Sequence, residues 1–158
     1  MAIIPSTERL PYLQPFLEQC HLRQHPARSA IIHAGDASDS LFFIVKGSVS
    51  VVIEDDEGRE MVVAYLNAGD FFGEMGMFDA STVRSAWVRT RARSEIAEIS
   101  YSRFQQITHE DPTVLLRLAG QMALRLRNTS RKVGDLAFMD VTGRVARTLL
   151  ELCKEPDA

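Results

Sequence analysis

Cysteine is scarce. The chain has two in 158 residues, Cys20 and Cys153, far apart and with no CxxC pair. That argues against a disulfide framework or a structural zinc site, and a four-cysteine iron–sulfur centre cannot be built within one chain. Reduced thiols in turn suit a cytoplasmic setting. Metal-ligand spacing is missing as well: His21, His25, His33 and His109 form no HxH pair, so no metal is expected. The longest apolar runs are of strand length, too short to span a bilayer. The start, Met1-Ala2-Ile3-Ile4-Pro5, has neither the charged region nor the long apolar core of a secretory signal. No membrane association is therefore expected. Charge of one sign is lacking too. The formal net charge is −3, so the chain as a whole is not a basic nucleic-acid binder by composition. No nucleophile–base–acid set stands out, and catalysis is not expected.

What is present is enough sequence for one proper core, and a change of period along it. Residues 7–20 read as a short amphipathic helix interrupted by Pro11 and Pro15, with Leu10, Leu13, Phe16 and Leu17 on its apolar side. Short strands follow at 30–33 and 41–45. Residues 48–53 alternate, with Val49, Val51 and Ile53 on one face. Asp55-Asp56-Glu57-Gly58 turns the chain, and 59–66 return. Strands at 85–88 and 95–99 complete the series. Short strands separated by Gly and Asp turns argue for a sandwich or jelly-roll barrel.

Helical periodicity takes over from there. Residues 102–108 form a short helix. Asp111 then caps a long one with Pro112 at its first position. Leu115, Leu118, Met122, Leu126, Thr129, Val133 and Leu136 recur at steps of three and four, the spacing of a heptad. The stripe either covers the domain's own core or packs on a second copy. A run of about seven turns exceeds what a small barrel needs, which favours self-association. Thr129 within that stripe has two readings: a register or ligand role, or a hydroxyl bonded back to its own helix. Met139-Asp140 breaks the run, and Asp140 suits the N-cap of a further helix over 141–153. Its apolar set, Val141, Val145, Leu149 and Leu152, suits docking onto another domain.

The most informative stretch is Gly73-Glu74-Met75-Gly76-Met77-Phe78, followed by Arg84-Ser85-Ala86. Glycines let backbone N–H groups converge on an anion. Arg84 offers a permanent charge and a two-pronged hydrogen bond to phosphate oxygens, and Ser85 adds a hydroxyl. Glu74 repels phosphate but suits a ribose hydroxyl, which needs an acceptor. A ligand carrying both groups close together is a nucleotide, and a cyclic one is compact enough for one short segment to wrap. A Gly-rich turn with a surface Glu–Arg pair is the plain alternative. The flanking turn Asn67–Asp70, the apolar Phe71-Phe72 and the strand at Trp87-Val88 weigh against it.

Together with Lys46-Gly47-Ser48-Val49, Tyr65-Leu66-Asn67, Gly69-Asp70-Phe71, the stretch 84–89 and the long run from Arg131 to Arg144, the chain resembles the Crp/Fnr family of bacterial regulators. The resemblance spans nearly the whole length. It implies a mainly β fold with α: a jelly-roll (double-stranded β-helix) cyclic-nucleotide-binding domain over 1–110, followed by a long coiled-coil dimerisation helix over 111–139. Residues 140–158 would begin a helix-turn-helix DNA-binding domain. No second helix-turn-helix pattern follows, so the chain as given is expected not to read DNA and to be truncated. The implied ligand is cyclic AMP, with the Gly73 backbone, Arg84 and Ser85 holding the phosphate, Glu74 on the ribose 2′-hydroxyl and Met75 among the ligand-binding residues. Thr129 of one subunit and Ser130 of the other would face the adenine, and Val51 and Val63 would form the apolar wall. Ala64 stands where close relatives often carry a hydroxyl, which leaves the choice between cyclic AMP and cyclic GMP open.

The resemblance further implies a homodimer through 115–136 and a hinge at Phe138, Met139 and Asp140 that reorients the segment after it. Promoter DNA and RNA polymerase would be partners of the full-length protein. His21, Arg23 and Arg103 form either a polymerase contact or a solvated basic face. The acidic run Glu54–Glu57 with Glu60 reads as a solvated turn. A cupin-like metal enzyme and a haem-sensing relative of the same family are the alternatives.

Overall fold

The computed structural model describes residues 13–79 and 82–154, in two compact units that divide between Val114 and Leu115. The chain enters the first through helix α1 (Gln14–Leu17). Strands β1 (His21–His25), β2 (Ala30–Ile32), β3 (Ser40–Lys46), β4 (Ser48–Glu54), β5 (Glu60–Asn67) and β6 (Phe71–Phe72) follow. Helix α2 (Met75–Phe78) interrupts them before β7 (Trp87–Thr90) and β8 (Ser94–Ser100), and helix α3 (Tyr101–Glu110) ends the series. The strands form two four-stranded antiparallel sheets, ordered β1-β8-β3-β6 and β2-β7-β4-β5. The strands of the two sheets interleave along the chain, which is the wound arrangement of a jelly roll.

Strand β3 is buried on both faces of the first sheet, which is why its sequence reads as an unbroken apolar run. Phe42 and Ile44 point inward with Phe72 and Ile96, meeting Ile32, Val49, Leu66 and Val88 of the opposite sheet. Phe42 and Phe72 stack with ring centroids 5.0 Å apart. Phe43 takes the other face with Phe71, centroids 4.8 Å apart, and there Phe16 meets both edge-on. Phe104 of α3 closes that outer cluster against Phe16 at 6.1 Å. Helices α1 and α3 thus cover one face of the sheet, held by aromatic packing.

Several strand expectations need correction. His21–His25 is a strand, the edge of the first sheet paired to β8, although its sequence has no apolar alternation. An edge strand with exposed side chains needs only one row of backbone bonds, so its sequence carries little signal. His21 and His25 therefore belong to the roll instead of preceding it. Helix α1 covers four residues, with Phe16 buried and Leu13 buried just before it; the expected start of that helix, including Leu10, lies outside the described residues. The alternation of β4 fails after Val51. Pairing runs Val51–Ala64 and then Val52–Val62, so the register slips at Val63, Val52 is buried and Ile53 is exposed. That is a β-bulge. Strand β7 begins two residues later than expected, at Trp87.

The acidic hairpin is partly neutralised. Asp55 accepts the Glu57 and Arg59 backbone N–H groups at 3.0 and 2.9 Å, and Arg59 pairs with both Asp55 and Glu57. The Arg59 backbone and side-chain bonds hold the Asp55 carboxyl below its ordinary value. Glu60 is held low by the Arg89 guanidinium, which it binds through both oxygens.

The second unit contains most of helix α4 (Thr113–Phe138) and all of α5 (Val141–Leu152). Asp111 accepts the Thr113 backbone N–H at 3.0 Å and its hydroxyl at 2.6 Å, which starts α4. Helix α5 has Asp140 as N-cap, its carboxylate accepting from the Gly143 N–H at 2.8 Å. Ion pairs tie the two helices across the break: Arg131 to Glu151 at 3.1 Å, and Arg147 to Asp135. No helix among the described residues is long and apolar enough to cross a membrane.

Candidate cyclic-nucleotide site

The site begins with a turn. Gly69, at φ +95°, donates its N–H to Ile44 O at 2.8 Å, while Ile44 N–H donates to Asp70 O at 3.0 Å. The Asp70 carboxylate accepts from the Asn67 N–H at 2.8 Å. This clamps the chain to β3, so Phe71 and Phe72 are delivered to opposite faces of the first sheet. Gly73 follows at φ +77°, a left-handed conformation in which a Cβ would lie 2.9 Å from Arg84 Nη1 and 3.0 Å from Phe42 Cδ2. Both the backbone angle and the space thus require glycine there. Glu74 occupies the N-cap position of α2 with no side-chain cap bond.

Arg84 comes from the other side. Its backbone pairs with the segment after β2, its N–H donating to Asp36 O at 2.8 Å and its carbonyl accepting from Gly35 N–H at 2.9 Å. The side chain is turned inward and the residue is only 9% exposed. Nη1 donates to Gly73 O at 2.8 Å and to the Tyr101 hydroxyl at 3.1 Å, and Nη2 donates to Ser40 O at 2.7 Å. The guanidinium also lies 5.5 Å from the Phe42 ring centre. Among the described residues no carboxylate lies within 4.0 Å of it. A buried cation held only by neutral acceptors has a desolvation cost unmatched by an opposite charge, so a nearby anion would be favoured there.

The remaining expected residues divide by unit. Ser85 is exposed, with its hydroxyl 3.8 Å from Met75 Sδ, so the two sit side by side next to Arg84. Val51 and Ala64 face each other across the β4–β5 ladder and pack against the inner apolar cluster, while Val63 sits at the bulge. Thr129 and Ser130 are exposed positions of α4, in the second unit. Phe138 is the last residue of α4 and Asp140 the cap of α5, with Met139 between them. His21, Arg23 and Arg103 are brought together around one shallow depression with Glu98 and Ser100. Arg103 is held there by Gln19 and Gln106.

Sequence reasoning missed Tyr101, Ser38, Ser40 and Phe42, all of which touch the Arg84 cradle directly or through one hydroxyl. No local signal marks them: Tyr101 is 17 residues from Arg84 and 28 from Gly73. Cys20 is reactively quiet, since burial pushes its thiol up to about 12. Among the described residues no group of three or more His, Cys, Asp or Glu is placed to hold a metal ion.

Comparison with known proteins bears on the same segment. The family model described as cyclic nucleotide-binding domain matches residues 22–111, which contain the whole Gly73–Arg84 cradle. The chain is 56% identical over 161 residues to the cAMP-activated global transcriptional regulator Vfr of Pseudomonas aeruginosa, covering all of this chain and 75% of that protein. The chain belongs to the cyclic nucleotide-binding Crp/Fnr family. Another relative, the regulator CRP of Salmonella typhimurium, is 53% identical, with 98% of this chain and 72% of that protein covered. Among solved structures, the c-di-GMP responsive global regulator CLP of Xanthomonas campestris superposes with a TM-score of 0.86 at 42% identity, over 92% of this chain and 73% of that one. These Crp/Fnr relatives are transcriptional regulators, not enzymes, and neither the cupin-like nor the haem-sensing alternative is favoured. The jelly roll and the long helix after it are those of the family.

Proposed function

We propose that this chain is a cyclic AMP sensor that regulates transcription, with its phosphate held at Arg84. The observation that carries this is the buried Arg84 guanidinium without a carboxylate among the described residues. In this reading the Gly73 backbone and Ser85 complete the phosphate end, Met75 is a further ligand-binding residue, and Glu74 accepts from the ribose 2′-hydroxyl. Val51 and Val63 supply the apolar wall, and Thr129 of one subunit with Ser130 of the other meets the adenine. Residues 1–110 would be the sensor, 111–139 the dimerisation helix and 140–158 the start of the DNA-binding part. The nucleotide would bias the Phe138–Asp140 joint because it binds one arrangement of that joint more tightly than another. Promoter DNA and RNA polymerase would be the partners of the whole regulator, which would act in the cytoplasm. His21, Arg23 and Arg103 are the candidate polymerase contact.

Calorimetric titration of the purified chain with cyclic AMP, cyclic GMP and cyclic di-GMP in parallel tests the ligand. Cyclic AMP should saturate one site per chain with the highest affinity. Glu74→Ala should weaken it by about 1–3 kcal/mol, the worth of a hydrogen bond to a charged group. Tighter binding of cyclic di-GMP would transfer the reading to the ligand named for the Xanthomonas relative, and no heat with any of the three would end it.

A second copy is the proposed occupant of the α4 stripe at 115–136. Leu126, Val133 and Leu136 are all more than half exposed on this 26-residue helix, at the spacing of a helix–helix seam. Sedimentation equilibrium should give twice the chain mass, and Leu126→Asp should return the single-chain mass with the β-roll still folded. A wild-type chain that sediments as a monomer at micromolar concentration would remove the dimer.

A further inference from the structure

Tyr101 opens α3 with Ser100 as its cap, and its backbone N–H is fixed by Asp39 O at 2.9 Å. Its hydroxyl is fully committed. The single phenol proton goes to Gly73 O. The oxygen accepts from Arg84 Nη1 at 3.1 Å, and Ser38 Oγ is 2.8 Å away. Since the phenol has one proton and that proton is used, Ser38 must be the donor in the last bond. Gly76 of α2 is packed against the same pair, so that a Cβ there would meet both the Ser38 side chain and, at 3.2 Å, the Tyr101 hydroxyl.

This network decides what Arg84 has left to offer. Both Nη1 hydrogens are taken, by Gly73 O and Tyr101, and one Nη2 hydrogen by Ser40 O. Nε–H makes no bond to a described residue. A guanidinium has five N–H donors, so Nε–H and one Nη2 hydrogen are left for an outside acceptor.

We propose that Tyr101 is a positioning residue of the anion site: held by Ser38, its hydroxyl locks the Nη1 side of Arg84 and thereby fixes which donors meet the bound phosphate. The inference rests on the reading that Arg84 binds the ligand's phosphate. Tyr101 itself need not touch the ligand. Without its hydroxyl, Nη1 loses one of two anchors and the planar fork is held by Gly73 O and Ser40 O alone, so more of its ordering falls to the ligand.

Tyr101→Phe keeps the ring, whose centre lies 5.9 Å from the guanidinium carbon, and removes only the oxygen. In calorimetric titration it should bind cyclic AMP about tenfold more weakly than wild type. In the ligand-free protein the Arg84 Nε–H nitrogen resonance should shift, which a purely structural role in α3 would not cause. In an Arg84→Lys background, where there is no fork to aim, the effect of Tyr101→Phe should shrink to about twofold or less. Wild-type affinity in Tyr101→Phe, or an undiminished tenfold loss in the Arg84→Lys background, would overturn the proposal. Should Tyr101→Phe fail to fold, Ser38→Ala decides. It leaves the tyrosine in place but removes its donor, and about a threefold loss supports the proposal while unchanged affinity overturns it. If Arg84→Lys and Arg84→Leu both bind as wild type, it is the Arg84–phosphate reading that fails, independently of Tyr101.

Discussion

Arg84→Leu is expected to bind cyclic AMP about a hundredfold more weakly, a loss of roughly 3 kcal/mol. The size follows from burial. Arg84 is 9% exposed and held by Gly73 O and Ser40 O, so its charge is already stripped of most water before a ligand arrives. An incoming phosphate then meets a desolvated cation and gains more from it than from one in solvent. Leucine offers no such gain, and the anion would enter the roll unpaired. The same substitution should lower the stability of the ligand-free chain by about 1–3 kcal/mol, because it removes the side-chain donor to the Ser40 carbonyl and one of the two donors to Gly73 O. The two effects are separable. Arg84→Lys restores charge without the fork, so it should recover part of the affinity while leaving the carbonyl network incomplete. Calorimetric titration gives the first quantity and thermal unfolding the second. Near-wild-type affinity in Arg84→Leu would take the residue out of the site, whatever happened to stability.

How far the sequence foretold this depends on the distance over which each signal acts. The β4–β5 hairpin was legible because its turn chemistry is local: Asp55 bonds the backbone N–H groups of Glu57 and Arg59, and Gly58 between them takes φ +78°. The bulge at Val63 was not, since a half-buried strand shows in its sequence only as alternation, and a slip of register is set by the partner strand. Strand β1 was missed because an exposed edge leaves polar residues at positions where a strand is recognised by apolar ones. For the site, residue types gave Gly73 and Arg84 at once, since few residues can hold an anion on a short loop. What turns Arg84 inward and fixes it could not be read. Ser40 lies 44 residues before it and Tyr101 17 residues after it, and Ser38 reaches Tyr101 over 63. Only winding the chain into two sheets brings them to one point.

Gly73→Ala should be the change in the cradle that costs the most stability. Two penalties coincide. At φ +77° an L-residue costs about 1–2 kcal/mol through its own Cβ. The new methyl would also lie 2.9 Å from Arg84 Nη1, 3.0 Å from Phe42 Cδ2 and 3.3 Å from Ile32 Cδ1. Phe42 cannot yield easily, because it is stacked on Phe72 at 5.0 Å inside the packed cluster. Arg84 is the flexible neighbour, so it is the one that moves, and its bond to Gly73 O goes with it. The expected outcome is a stability loss of about 2–4 kcal/mol together with at least a roughly tenfold loss of cyclic AMP affinity. Gly58 supplies the control. It sits at φ +78° in the β4–β5 turn, where a methyl would meet only Glu54 Oε1 at 3.7 Å, an ordinary contact, so Gly58→Ala should cost only the backbone share, about 1–2 kcal/mol, and leave affinity intact. Denaturant unfolding and ligand titration of the two alanine variants side by side then isolate the close approach from the backbone angle. If the two variants matched in both measurements, Arg84 would not depend on the space that Gly73 leaves open, and the cradle would have to be held by its other anchors at Ser40 and Tyr101.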